Sequence, residues 1–329
     1  MKKIALSIFA LMLTVSLSMA QNTANVNQHG HYHVMNIDQT GNNQNATVNQ
    51  RGNQGKITIK QVADNDITQN ATVNQRGKEN EALIQQIQTG NSTPTSDNAM
   101  INQRGHMNVA KIMQNAPGSN SGHNAEINQR GDKNESYQTS KSGYTIDLFA
   151  KQNGDKNYAN QSTDNGKHVS ESIIQKGSKN DAYQSQDGLN KKAMITQNGD
   201  KNYAKQNQSG GGWTQNNTAS IKQAGDINKA VQTQIVTSTM NQTNLADIIQ
   251  NGYKNEASQW MNGESNSATI HQNGDKNYAT QWQNGMNNVT MVKQDGSQNW
   301  IRQHQDGNGL SSIITQSGDH NAITINQHN

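Results

Sequence analysis

The 329-residue sequence has no cysteine, two prolines and two phenylalanines. Without cysteine there is no disulfide, no lipid anchor on a cysteine and no thiolate metal site. Only 30% of the residues are hydrophobic and 4% aromatic, where an ordinary globular domain is nearly half apolar. A single large oily core is thereby excluded. Charge is thin as well: 27 Lys and Arg against 24 Asp and Glu leave a net +3, with the signs interspersed. No basic cluster with interleaved aromatics appears, so no nucleic acid is expected as a partner. One apolar run exists, at residues 4–17. It is shorter than the roughly 18–20 residues of a membrane-spanning helix. Lys2 and Lys3 precede it, and the small-x-small triplet Ser18-Met19-Ala20 follows. Residues 1–20 therefore read as a secretory signal peptide, and residues 21–329 as the mature chain.

Asn, Gln, Gly, Ser and Thr fill the rest, in a strict pattern. Ala193, Ile195 and Gln197 fall on alternate positions, Gly199 marks a turn, and Asn202, Ala204 and Gln206 resume the alternation. A period of two is strand period, so the unit is strand, tight turn, strand. It occurs thirteen times. The turn glycines are Gly30, Gly52, Gly77, Gly105, Gly131, Gly154, Gly177, Gly199, Gly225, Gly252, Gly274, Gly296 and Gly318. Two residues before each stands a glutamine: Gln28, Gln50, Gln75, Gln103, Gln129, Gln152, Gln175, Gln197, Gln223, Gln250, Gln272, Gln294 and Gln316. Three residues after the glycine, eleven units carry an asparagine: Asn80, Asn108, Asn134, Asn157, Asn180, Asn202, Asn228, Asn255, Asn277, Asn299 and Asn321. His33 and Gly55 take that place in the first two units.

Apolar columns share the register. Two residues before each Gln sits Val, Ile or, once, Ala150, and two before that usually Ala. In the second strand, the first four units and the last carry Ile (Ile37, Ile59, Ile84, Ile112, Ile325), and the middle eight carry Gln, as at Gln206 and Gln281. A second, variable turn closes each unit and holds all the length variation, with Pro94 and Pro117. Low apolar content alone would predict disorder, but a stacked repeat needs only a thin core per layer. The expected fold is all-β: a β-solenoid of about 13 stacked strand-turn-strand coils, amyloid-like and cross-β. Gln and Asn would form ladders along the stack and Ile, Val and Ala would fill its interior. Tyr158, Tyr203, Tyr278, Trp300, Trp260 and Trp282 point outward by parity, as Lys, Glu and Thr are expected to do. The Asp-Lys pairs after several turn glycines (Asp132-Lys133, Asp155-Lys156, Asp200-Lys201, Asp275-Lys276) read as a solvated edge. The first unit starts within four residues of the mature start and the last ends at Gln327, so no caps are expected. Uncapped strand edges pair with other chains.

The unit A-x-I-x-Q-x-G-x-x-N-x-A-x-x-x-Q resembles the curlin repeat of curli, the bacterial extracellular functional amyloid. The resemblance runs through nearly all of the mature chain. It implies a secreted subunit that assembles with itself into a cell-surface fibre, pilus-like, supporting adhesion and biofilm matrix. It also implies a nucleator subunit, and export through the periplasm and an outer-membrane secretion channel with its chaperones. The Gln and Asn columns would be its amyloid-core ladder. The carboxyl end, Ile325-Asn326-Gln327-His328-Asn329, is not basic, which fits a major fibre subunit rather than the nucleator. The chain departs from the family in having more repeats and no Gly-rich segment after Ala20, which leaves the export signal unassigned.

Other readings are weaker. His29, His31 and His33 alternate in the first turn and could share a metal, but no carboxylate stands with them and a solvated turn is expected. The Gly-Asp-x-Asn turns lack the Gly-Gly-x-Gly-x-Asp spacing of calcium-binding nonapeptides. No cofactor is implied. No acidic pair recurs and no nucleophile signature stands out, so no enzyme is expected. The alternative is a monomeric surface β-solenoid, an adhesin or glycan- or ice-binding module using the outward aromatics.

Overall fold

A computed structural model describes residues 21–64, 67–89, 96–116, 122–210, 216–236 and 243–329. The expected signal peptide at residues 1–20 and both prolines lie outside the described residues. The chain is a parallel β-solenoid of 24 strands, with no helix among the described residues. Alternation sets the register. In the first coil, β1 (Thr23–His31) and β2 (Val34–Thr40) flank the fixed turn. In the second, β3 (Gln44–Asn53) and β4 (Lys56–Ala63) do the same. β1 pairs in parallel with β3, placing Val26 beside Val48, Gln28 beside Gln50 and Gly30 beside Gly52. β2 pairs with β4, placing Ile37 beside Ile59 and Gln39 beside Gln61. The same rule runs to β21 (Val289–Asp295), β22 (Trp300–Asp306), β23 (Ser311–Ser317) and β24 (Ala322–His328).

Two sheets thus face each other across a thin core. Val48, Val73, Ile101 and Ile127 stack from the first sheet against Ile37, Ile59, Ile84 and Ile112 from the second, all of them buried. From Gln138 to Gln303 the second sheet contributes amides in place of isoleucine. The fixed turn is uniform. Its glycine has φ between +95° and +134°, and the residue two places on is left-handed at φ 55–61° in all thirteen units. A Cβ on any of these glycines but the last would collide with the next coil's glycine, whose carbonyl oxygen lies in its path.

Three expectations need correction. The variable turn does not always interrupt the strand. β10 (Glu135–Asn153) and β11 (Tyr158–Lys176) each run 19 residues through it, joining two units and giving 24 strands from thirteen repeats. The two corners are of equal length and stay paired, Gly143 with Gly166 and Tyr144 with Lys167. Charged residues and threonine are not all outward: Asp97, Glu171, Lys191, Thr163 and Thr290 are buried, alongside His123. Parity carries them inward, because each occupies a core column. The Asp after the turn glycine is more than a solvated edge. Asp132, Asp155, Asp200, Asp226, Asp275 and Asp319 each accept a backbone N–H from the preceding coil's turn through Oδ1, at 2.7–3.1 Å.

Candidate functional site: amide ladders and open coil faces

The column of turn-flanking glutamines forms one unbroken ladder. Each Nε2 donates to the Oε1 of the next coil's glutamine, from Gln28 to Gln316, through twelve bonds of 2.8–3.0 Å. The other N–H reaches back: Gln175 donates to the Tyr158 carbonyl and Gln223 to the Tyr203 carbonyl, at 2.9 and 3.0 Å. One side chain therefore ties three successive coils. An amide buried without partners would cost about 1–3 kcal/mol, so period-perfect repetition is what makes a glutamine-rich interior tolerable.

The asparagine column works at the corner, where sheet pairing stops. Asn80 Oδ1 accepts the backbone N–H of Asn108 at 3.0 Å, and Asn80 Nδ2 donates to the Gly105 carbonyl at 2.9 Å. The arrangement repeats up to Asn299, which accepts from Asn321 N and donates to the Gly318 carbonyl. His33 stands in for asparagine in the first coil: its Nδ1 accepts the Gly55 N–H at 3.3 Å. This role for His33 was not legible from the His29, His31, His33 alternation, and no three metal-type ligands converge among the described residues. Further glutamine ladders line the second sheet: Gln39–Gln61–Gln86–Gln114, Gln138 through Gln303, Gln186–Gln208–Gln234 and Gln283–Gln305–Gln327.

Both ends of the stack are open among the described residues. β1 and β2 pair only with β3 and β4, and β23 and β24 only with β21 and β22. The ladders are polar, so the two ends differ. The first coil turns Gln28 Oε1 and the Gly30 carbonyl outward along the axis, and both are acceptors. The last coil turns outward the donor groups of Gln316 and Asn321. The apolar columns end bare as well: Val26, Ile323 and Ile325 are only partly buried against the core.

Outward aromatics stack by register. Trp260 and Trp282 stack with centroids 4.9 Å apart and ring planes nearly parallel. Tyr278 faces Trp300 at 6.2 Å. Tyr158, Tyr183 and Tyr203 form a zigzag at 5.2 and 5.7 Å.

Among the described residues the interior brings together Ser140, His123 and Asp97, residue types found in catalytic sites. Ser140 Oγ lies 3.1 Å from His123 Nδ1. The Asp97 carboxylate accepts the backbone N–H of His123, so it does not orient the ring as a triad acid would. All three residues are sealed from solvent, which keeps any substrate away. Burial lowers the His123 pKa, with Asp97 opposing.

Glu171 takes a place in the Ala column, beside Ala193, and Lys191, one coil on, stands in a core column beside Asn217. Burial pushes the Glu171 carboxyl up to about 8, against a 2.8 Å hydrogen bond from Thr163. Burial brings the Lys191 ammonium down to about 8, against Asp187. The folded chain therefore keeps a proton on Glu171 that the unfolded chain loses above pH 4.5, so stability falls as pH rises from about 4.5 to about 8. Lys191 acts in the opposite sense: the unfolded chain holds its proton up to 10.5, so stability recovers between about 8 and 10.5. The urea midpoint is expected to pass through a minimum near pH 8. Glu171→Gln should flatten the acid side of that minimum, worth on the order of 5 kcal/mol, and Lys191→Asn the alkaline side. A midpoint independent of pH in the parent chain would contradict this.

The family model described as the curlin-associated repeat matches residues 263–296. No curated protein matches the chain in sequence. The matched residues include the strands Ser267–Asp275 and Tyr278–Met286 and end on a turn glycine, Gly296. They carry the same ladder groups as the other coils: Gln272, Asn277 and Gln281. The coil built by residues 263–296 thus matches a curlin-associated repeat, and its neighbours repeat its hydrogen bonds.

Proposed function

We propose that the chain is the structural subunit of a secreted, curli-like amyloid fibre, polymerising head to tail through its open coil faces. The carrying observation is the residue type at the two ends. The second-sheet column is glutamine from Gln138 to Gln303 and returns to isoleucine at Ile325. Laid on the first coil of another copy in continuous register, Ile325 meets Ile37, Ile323 meets Met35 and Ile314 meets Val26. In the same register Asn321 Nδ2 meets the Gly30 carbonyl, and Gln316 Nε2 meets Gln28 Oε1. An apolar junction with donors facing acceptors is what an added coil needs.

In this reading the Gln and Asn ladders are the amyloid core. Residues 1–20 direct export, and the fibre is extracellular, supporting adhesion and biofilm matrix. A nucleator subunit and an outer-membrane channel with its chaperones complete the system, and this chain is the major subunit. The role is structural, not catalytic. Residues 21–329 diluted from denaturant should assemble after a lag that preformed seeds abolish. The product should diffract near 4.7 and about 10 Å. A soluble β-rich monomer that never seeds at high concentration would reject the proposal and leave a monomeric adhesin.

A further inference from the structure

Four of the five arginines in the chain stand in one row. Arg51, Arg76, Arg104 and Arg130 occupy the same position of successive coils, paired Arg51 with Arg76, Arg76 with Arg104 and Arg104 with Arg130. All four are exposed. In-register stacking sets their backbones about 4.7–4.9 Å apart, so four like charges are held in single file. Three lysines elsewhere pair with carboxylates: Lys56 with Glu81, Lys229 with Glu256 and Lys293 with Asp295. No such carboxylate pairs with the arginine row among the described residues.

Two positions earlier on the same outer face runs a row of asparagines. Asn49 donates to Asn74, Asn74 to Asn102 and Asn102 to Asn128, at 2.7–2.9 Å, and the last amide is taken by Glu126. Between the two rows lies a groove of about 850 Å³ along the fibre axis, with His29 at one end and Lys151 at the other. One wall is a row of guanidinium groups and the other a row of locked amides.

We infer that this groove binds a linear acidic polysaccharide, its carboxylates on the arginine row and its hydroxyls along the asparagine row. A planar guanidinium engages a carboxylate through two parallel hydrogen bonds. A 1,4-linked uronic acid chain carries a carboxylate on every ring, so its charge recurs regularly along a linear chain as the arginines recur along the axis. A duplex nucleic acid advances about 3.4 Å along its axis per phosphate on each strand and winds its phosphates around that axis, which does not match a straight row. Single-stranded nucleic acid binds on aromatic platforms, and no tyrosine or tryptophan lines this groove. The row exists within one chain, so the inference does not depend on fibre formation. It recurs once per subunit if fibres form.

The test uses the full mature chain on a sensor surface, with polygalacturonate as probe and dextran as neutral control. Replacing the four arginines by Gln is expected to weaken polygalacturonate binding by about 30-fold or more. Arg76→Gln alone should weaken it by about threefold, which keeps the test open if the quadruple variant folds poorly. The matched variant Lys133→Gln, Lys156→Gln, Lys179→Gln and Lys201→Gln removes the same charge from the turn edge and should stay within about threefold. Binding that survives loss of all four arginines, or falls equally in the lysine variant, would overturn the inference. Single-stranded DNA binding as tightly as polygalacturonate would overturn it in favour of a nucleic-acid groove.

Discussion

Alanine at Gly154 should split the solenoid in the middle. Gly154 has φ +127°, and a Cβ there would run into the Gly177 carbonyl, which is backbone and hydrogen-bonded. The left-handed backbone costs an L-residue about 1–2 kcal/mol. Moving a packed coil aside adds about 1–3 kcal/mol more. The displacement also breaks the contact that lets Asn157 reach the Gly177 carbonyl at 2.7 Å. Gly309 is the control: its φ is +68° and nothing lies within 4 Å of the place a Cβ would take. Gly309→Ala should cost only the backbone strain. The check is the urea midpoint of each variant, with amide hydrogen exchange across residues 135–189. Equal midpoints would mean that the coils yield at the turn far more readily than their packing implies.

Alanine at Gly318 should leave the folded chain nearly intact and stop it from assembling. Within the chain, a Cβ at Gly318 would meet only Asn321 Nδ2, at 3.7 Å. Every other turn glycine points its missing Cβ at the glycine carbonyl of the following coil. In the proposed head-to-tail joint the coil after Gly318 is the first coil of the next copy, and the group in the way would be the Gly30 carbonyl. A Gly318→Ala chain keeps a working first coil and loses its last as an acceptor. It should therefore fail to polymerise alone and cap parent fibres at substoichiometric amounts. Thioflavin traces of mixtures at one variant per ten parent chains are the readout. Fibres that grow at the parent rate from pure Gly318→Ala protein would rule out head-to-tail joining through this face.

Much of this geometry was legible in the sequence, because a solenoid turns a period into a column. Alternation placed Gln28 to Gln316 inside, and the fixed spacing to Gly and Asn marked the corner. What escaped had a physical cause in each case. Lys and Glu as residue types are expected on the outside, but at Glu171 and Lys191 strand parity outranks side-chain preference once the neighbours on both sides are in register. The carboxylates of Asp132 and its equivalents looked solvated, because the backbone N–H groups that donate to them lie one coil away in the chain. The arginine row was hidden for a related reason. Asn-Gln-Arg-Gly recurs at residues 49–52, 74–77, 102–105 and 128–131, and charges that touch in space are separated by a whole coil in the chain. A search for local clusters cannot find them, whereas reading down the columns does.

The winding has a mechanical side. Gln28 and Gln50 are 22 residues apart in the chain and one hydrogen bond apart in space. Pulled along the axis, such a rod loads its coil boundaries in series, so each bears the full force. If a boundary inside one chain gives way, the freed coil pays out roughly 75 Å of slack and the two parts remain tethered, able to rewind. If a boundary between two copies gives way, nothing connects them. A filament of this design would therefore stretch and recover within subunits, and rupture only between them.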